Sequence, residues 1–159
     1  MENAQVVVAL SCGGRKHSKW DPTDYALAAY TREVAMILGI PIMAQWEVAD
    51  QLPPSESARL VVRTHRTEGR RLDTREVLEQ VKVECDKLGY TRIVLVVHRI
   101  HAPRAKRAAE KLGFTVAVAD TPYCELDPDS MYWWVRSDWI FTLYEKFLST
   151  PVYHYRDWI

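Results

Sequence analysis

Eight consecutive residues, His98-Arg99-Ile100-His101-Ala102-Pro103-Arg104-Ala105, bring two imidazoles, two guanidiniums and a proline together. Proline fits the first turn of a helix, so His101 is expected beside a helix N-terminus. Arg104 then projects from that first turn, where the helix dipole favours an anion. Arg104 can fork onto a phosphate or carboxylate, and His101 can donate a hydrogen bond or exchange a proton near neutral pH. A surface helix start with satisfied side chains is the ordinary alternative. A second polar run is Ser11-Cys12-Gly13-Gly14-Arg15-Lys16-His17. Paired glycines let backbone N–H groups approach a ligand and can form an anion-accepting nest, although a plain tight turn uses the same residues. The run is neither GxGxxG nor a Walker loop, because Arg15-Lys16-His17 stands where further glycines or GK[ST] are required.

Other candidates are Glu47, Asp73, Thr74 and His98. Glu47 or Asp73 is suited to orienting His101 or accepting a ribose hydroxyl, and Thr74 offers a hydroxyl contact. His98 and His101 with Glu47 or Asp73 form a conceivable metal set for phosphoester hydrolysis. No HExxH, cysteine pair or dense carboxylate cluster supports it, and the expected metal content is none. Cys12 is a poor nucleophile candidate, since Arg15 follows it too closely for a cysteine-phosphatase loop and thiols at buried strand ends are commonly inert.

These residues need a scaffold that gathers them. Residues 6–10 form a β-branched apolar run that reads as a strand buried on both faces. Helical spacing over 24–38 ends at Gly39 and Pro41, and 40–44 reads as the next strand. A short helical turn at 47–52 and a weaker strand at 59–63 precede a clear amphipathic helix over 74–88, capped by Asp73 or Thr74 and closed by Gly89. A buried strand at 92–97, a helix at 102–112 and a strand at 114–119 complete the alternation. Alternating βα units predict one α/β domain over 1–159. Its form is a three-layer Rossmann-like sandwich with a mostly parallel sheet of about five strands. In such a sheet the ligand crevice lies beyond the carboxyl ends of the strands, where the polar runs fall.

Composition narrows the function classes. The 21 basic and 21 acidic residues cancel, so net charge gives no strong signal for nucleic acid or an acidic membrane. Local blocks differ: 15–19, 63–71 and 98–107 are basic, and 120–138 is mostly acidic. The three cysteines lack disulfide or zinc spacing and are expected as reduced thiols. Met1 to Gln5 hold no basic n-region, and the apolar run at 6–10 is too short to span a membrane, so a cytoplasmic location is expected. Residues 130–148 crowd Tyr132, Trp133, Trp134, Trp139, Phe141, Tyr144 and Phe147 into one helical stretch. Packing on the sheet is the ordinary role for such a stretch. A ligand-pocket wall, or a homodimer or partner-docking surface, are the alternatives.

In order, residues 6–14, Leu72-Asp73-Thr74-Arg75-Glu76 and the run from Val97 to Ala105 resemble the YdcF/SanA/ElyC family of Rossmann-like proteins. That family shows a first strand ending in glycines, an S-x-T-x-E-N-like helix start and a yH-x-x-R-A motif. The likeness spans roughly residues 5–119, with a weaker match of 136–145 to the family's closing helix. Departures are Cys12, Arg15-Lys16, Asp73 and the missing Asn after Glu76. The resemblance implies a polar crevice at Gly13, Gly14, Asp73, Thr74, His101 and Arg104, with Glu47 a weaker match. It also implies a small anionic or nucleotide-like ligand, since at least one soluble member is associated with S-adenosylmethionine. The expected roles are therefore Gly13, Gly14, Arg15, Asp73, Thr74, His98 and Arg104 in ligand binding, and His101 with Glu47 in any catalysis.

Overall fold

The computed structural model describes residues 3–14, 21–121 and 124–159. Five strands, β1 (Val6–Ala9), β2 (Ile42–Gln45), β3 (Leu60–Val62), β4 (Arg92–Val96) and β5 (Thr115–Val118), form one sheet in the order β3-β2-β1-β4-β5. Every pairing is parallel, with Val8 opposite Met43 on one side and Leu95 on the other. The chain leaves β1 in one direction for β2 and β3, then returns across it to β4 and β5. The carboxyl ends of β1 and β4 are therefore the switch point at which such sheets open a crevice.

Two cores explain the continuous apolar runs of the central strands. Val7, Ala9, Ala44, Val94 and Val96 face α1 (Pro22–Leu38) through Leu27, Ala28, Val34 and Ala35. Val6, Val8, Met43, Ile93 and Leu95 face α3 (Thr74–Leu88) and α4 (Ala102–Lys111) through Val77, Leu78, Val81, Ala105 and Ala108. Successive side chains of a strand point to opposite faces, so a strand covered on both sides must be apolar at every position. The three-layer Rossmann-like arrangement is thus the observed fold.

Element ends follow local chemistry. The first long helix begins at Pro22, two residues before its expected start. Asp21 caps it there, accepting from the backbone N–H groups of Thr23 and Asp24, and Pro22 occupies the first turn. α3 spans the expected residues, capped by Asp73 at the Glu76 N–H. The sequence places one helix over 130–148, but the structure divides it. A 3-10 turn at Trp133–Val135 precedes α5 (Asp138–Tyr144), a π turn at Glu145–Ser149 and α6 (Thr150–Tyr155). Extended backbone at Ser137 (φ −159°) breaks the helical path that the aromatic spacing suggests.

Gly13 has φ +148°, and a Cβ built on it meets Asp21 Oδ2 at 3.0 Å. Gly39, the left-handed cap of α1 at φ +64°, has open space around it. Gly13→Ala is expected to lower stability by about 1–3 kcal/mol from backbone strain, with a further loss from the carboxylate contact. Gly39→Ala is expected to cost only about 1–2 kcal/mol. Urea unfolding of the two variants checks the order; equal midpoints would show that the turn after β1 yields freely.

Candidate functional site

At the carboxyl edge of the sheet a hollow of about 540 Å³ opens between the ends of β1 and β2 and the starts of α3 and α4. Ser11, Cys12 and Gly13 line it from β1, and Gln45 and Glu47 from β2 and α2 (Trp46–Ala49). Arg71, Asp73 and Thr74 contribute from the entry to α3, and His101 and Arg104 from α4. The closing segment supplies Tyr132, Trp134, Phe141, Tyr144, Glu145 and Tyr153. Residues as far apart as Ser11 and Tyr153 thus share one concave surface, as the carboxyl-edge rule for parallel sheets anticipates.

Thr74, His101 and Arg104 meet directly. Thr74 Oγ1 lies 3.0 Å from His101 Nε2 and accepts from Arg104 Nη1 at 3.2 Å. Arg104 does not hold its fork open for an anion. Its Nε and Nη2 donate to the two oxygens of Glu145 at 2.7 and 2.8 Å, with both side chains buried, and its guanidinium lies 4.5 Å from the centroid of the Tyr153 ring. Burial, reinforced by the nearby Arg104 charge, pushes His101 well below its usual range. His101 is therefore a neutral hydrogen-bonding group at pH 7 rather than the proton donor suggested by its type.

Of the paired glycines, Gly14 is bonded within the chain. Gly14 N–H donates to Asp21 Oδ2 at 3.0 Å, and the Gly14 carbonyl accepts from Met131 N–H and Ser130 Oγ, so this glycine ties the closing segment to β1. Beside it, Asp24 accepts from Cys12 N–H at 3.0 Å and from Ser11 Oγ at 3.0 Å. The chain's own carboxylates thus take the Cys12 and Gly14 N–H groups. Burial, then the neighbouring Asp21 charge, raises Asp24 to about 8. Burial also raises the Cys12 thiol well above its ordinary value, which leaves it un-ionised and a weak nucleophile.

Glu47 is the carboxyl group most open to chemistry. Its Oε2 is buried without a hydrogen-bond partner, and burial lifts its pKa to about 7 against the lowering pull of its own backbone N–H, Gln45 and Arg71. Arg71 stands at the same rim with its guanidinium 3.7 Å from the centroid of the Tyr132 ring; among the described residues no carboxylate forms an ion pair with it. Tyr132 stacks on Trp134 at 5.1 Å, and Trp134 on Tyr144 at 4.9 Å. The hollow accordingly has a cation, a proton-exchanging carboxyl group and an aromatic flank.

Gly13, Thr74, His101, Arg104, Asp73 and Glu47 are brought together, with Asp73 committed to capping α3. Gly14 is absorbed into the turn. His98 does not line the hollow: it is buried, its Nε2–H donates to the Cys124 carbonyl at 3.2 Å, and its Nδ1 accepts from Ile100 N–H at 3.3 Å. Both ring nitrogens are therefore used structurally. Among the described residues no group of three His, Cys, Asp or Glu side chains is placed to hold a metal ion. Arg15, with Lys16 and His17, lies outside the described residues.

Sequence reasoning passed over Asp24, Arg71 and Glu145. Each left a trace: Asp21-Pro22-Thr23-Asp24 is a helix-start pattern, Arg71 ends a basic block, and Glu145 is the sole acid between Trp139 and Ser149. No protein-family model matches the chain, and no curated protein matches it significantly.

The raised Asp24 sets a pH dependence with a defined sign. An unfolded aspartate releases its proton near 3.8, whereas folded Asp24 keeps it to about 8. Folding therefore takes up a proton in that interval, and its contribution to stability declines as pH rises through it. Glu47 adds a similar decline between 4.5 and about 7. Asp24→Asn retains an acceptor for Cys12 N–H and is expected to flatten the fall in urea midpoint between about pH 4 and pH 8, most distinctly from 7 to 8 where Glu47 no longer contributes. An unchanged slope in that variant would contradict the assignment.

Proposed function

We propose that the chain is a small-molecule-binding protein whose hollow takes an anionic, nucleotide-like ligand. The observation that carries this reading is the convergence of Ser11 and Gly13, Glu47, Arg71, Thr74 and His101 on one concavity at the sheet's switch point. Arg71 supplies the charge that Arg104 has committed to Glu145, and it approaches an anion from the rim. Tyr132, Trp134 and Tyr144 give the hollow an aromatic wall, with Arg71 over Tyr132 and Trp134 stacked between the two tyrosines; a nucleobase that stacks on the end of this ladder gains about 1–3 kcal/mol. Glu47, a lining carboxyl group with its pKa near 7, is suited to a ribose hydroxyl or an exocyclic amine and can take or give a proton if the ligand reacts. The resemblance to the YdcF/SanA/ElyC family points to the same class, with S-adenosylmethionine as one test ligand and the cytoplasm as the proposed location. No helix among the described residues is long and apolar enough to cross a membrane.

Thermal unfolding with millimolar AMP, ATP or S-adenosylmethionine tests the reading. A ligand present at about 100 times its Kd adds about 2.7 kcal/mol, which for a chain of this size raises Tm by several degrees. Arg71→Ala is expected to weaken the bound ligand by about tenfold or more while leaving the unliganded Tm nearly unchanged. No shift with any of the three would sink the proposal.

One observation favours a second, compatible property. Trp139, Leu143 and Phe147 lie four residues apart and are all exposed, Trp139 at 67%. A stripe of this kind pairs with itself across a two-fold axis, so a homodimer through α5 is proposed. Light scattering after gel filtration is expected to give twice the chain mass at micromolar concentration, and Trp139→Glu the monomer mass. A native monomer at every concentration would refute it.

A further inference from the structure

The loop entering α3 and the C-terminal end of the chain hold more positive charge than the hollow needs. Arg63 forks onto Asp50 at 2.7 and 3.2 Å. Arg66 donates through Nε to Glu76 at 2.8 Å and also pairs with Glu79. Arg75 Nε donates to Glu79 at 2.7 Å, and its Nη1 to the Trp158 carbonyl at 3.3 Å. Burial alone would raise Glu76, but hydrogen bonds from the Arg66 side chain and backbone and from Gln80 hold it down to about 2. It stays ionised at neutral pH and neutralises Arg66. Those three arginines are therefore matched.

Arg70, Arg71 and Arg156 are not. Among the described residues none of the three forms an ion pair with a carboxylate, although the Arg71 charge acts on Glu47, and all are exposed. All three line one depression. A cleft of about 950 Å³ lined by Arg70, Arg156 and Trp158 adjoins the hollow; the ion-paired Arg66, Arg75, Glu76 and Glu79 line it as well, and Arg71 and Asp73 line both. Arg156 lies over the Trp158 ring at 4.8 Å, and both line the cleft. A single anionic group would be met by Arg71 alone. Three such guanidiniums lining one cleft suit a chain of anionic groups, since each can fork onto two oxygens.

We infer that the ligand carries a polyphosphate chain that leaves the hollow past Arg71 and runs between Arg70 and Arg156. This rests on the nucleotide-like reading of the hollow. Calorimetric titration with AMP, ADP, ATP and inorganic tripolyphosphate, on the native chain and an Arg70→Gln/Arg156→Gln double variant, tests it. Native affinity is expected to rise by about tenfold or more from AMP to ATP. The double variant is expected to lose that rise while binding AMP as before, with an unchanged Tm as evidence that it folds. Equal native affinities for AMP and ATP, or a gradient surviving in the variant, would overturn the polyphosphate path and leave the hollow as a monophosphate-type site. Tripolyphosphate bound through Arg70 and Arg156 with no nucleotide bound would uphold the cleft and overturn the nucleotide reading. No binding of any of the four would overturn both.

Discussion

A guanidinium stays protonated at any physiological pH, so burying one at the first turn of α4 obliges the chain to deliver a carboxylate to it. Glu145 meets that demand through two parallel hydrogen bonds from Arg104, with both groups shielded from solvent. Removing one partner of such a pair leaves an uncompensated buried charge at a cost of about 3–5 kcal/mol. The pair fastens the C-terminal segment over the carboxyl edge of the sheet. Without it the strand ends would form an open rim. With it, Tyr144, Tyr153 and Phe141 close one side and the hollow becomes concave. Arg104 also reaches Thr74 at the start of α3, so one side chain couples two helix starts and the closing segment.

The same economy of charge governs the end of β1. Parallel strands finish with N–H groups pointing into the crevice, and those groups require acceptors. Asp21 and Asp24 provide them, one as the cap of α1 and the other by bonding Cys12 and Ser11. Because the two acids are close and screened from water, Asp24 retains its proton where an exposed aspartate would lose it. The polar character of this crevice thus comes largely from neutral or internally matched groups. Arg71 and Glu47 are the exceptions, and both lie on its walls.

The scaffold was legible because each strand-and-helix unit declares itself locally. Val6–Ala9 and Arg92–Val96 are apolar at nearly every position, as strands covered on both faces must be, and Gly39 and Gly89 end their helices as left-handed caps. The gathering of Gly13, Thr74 and His101 followed from topology, since the carboxyl edge is shared by every parallel strand. The roles were harder to read, because a residue type states what a side chain can do and not which partner reaches it first. Arg104 suits an anion, and it has one in Glu145, 41 positions away. His98 suits a ligand, and both of its nitrogens are taken by main-chain groups. The aromatic block divided its tasks: Tyr132, Trp134 and Tyr144 line the hollow, whereas Trp133, Trp139 and Phe147 face solvent. Composition alone could not apportion them, because extended backbone at Ser137 and the widened turn after α5 decide which way each ring faces.

That widened turn sets the rotational phase of everything after it. In an uninterrupted α-helix, positions eight apart differ by about 80° around the axis, which would turn Tyr153 away from the face that carries Glu145. A π turn takes up roughly one additional residue, about 100° of rotation, and returns the two positions to within about 20° of each other. Glu145 and Tyr153 can then embrace the same cation, the first by its oxygens and the second by its ring face. The length of Glu145–Ser149 acts here as a gear between α5 and α6: the same residues wound as a plain α-helix would leave Tyr153 about 80° around the axis from Glu145.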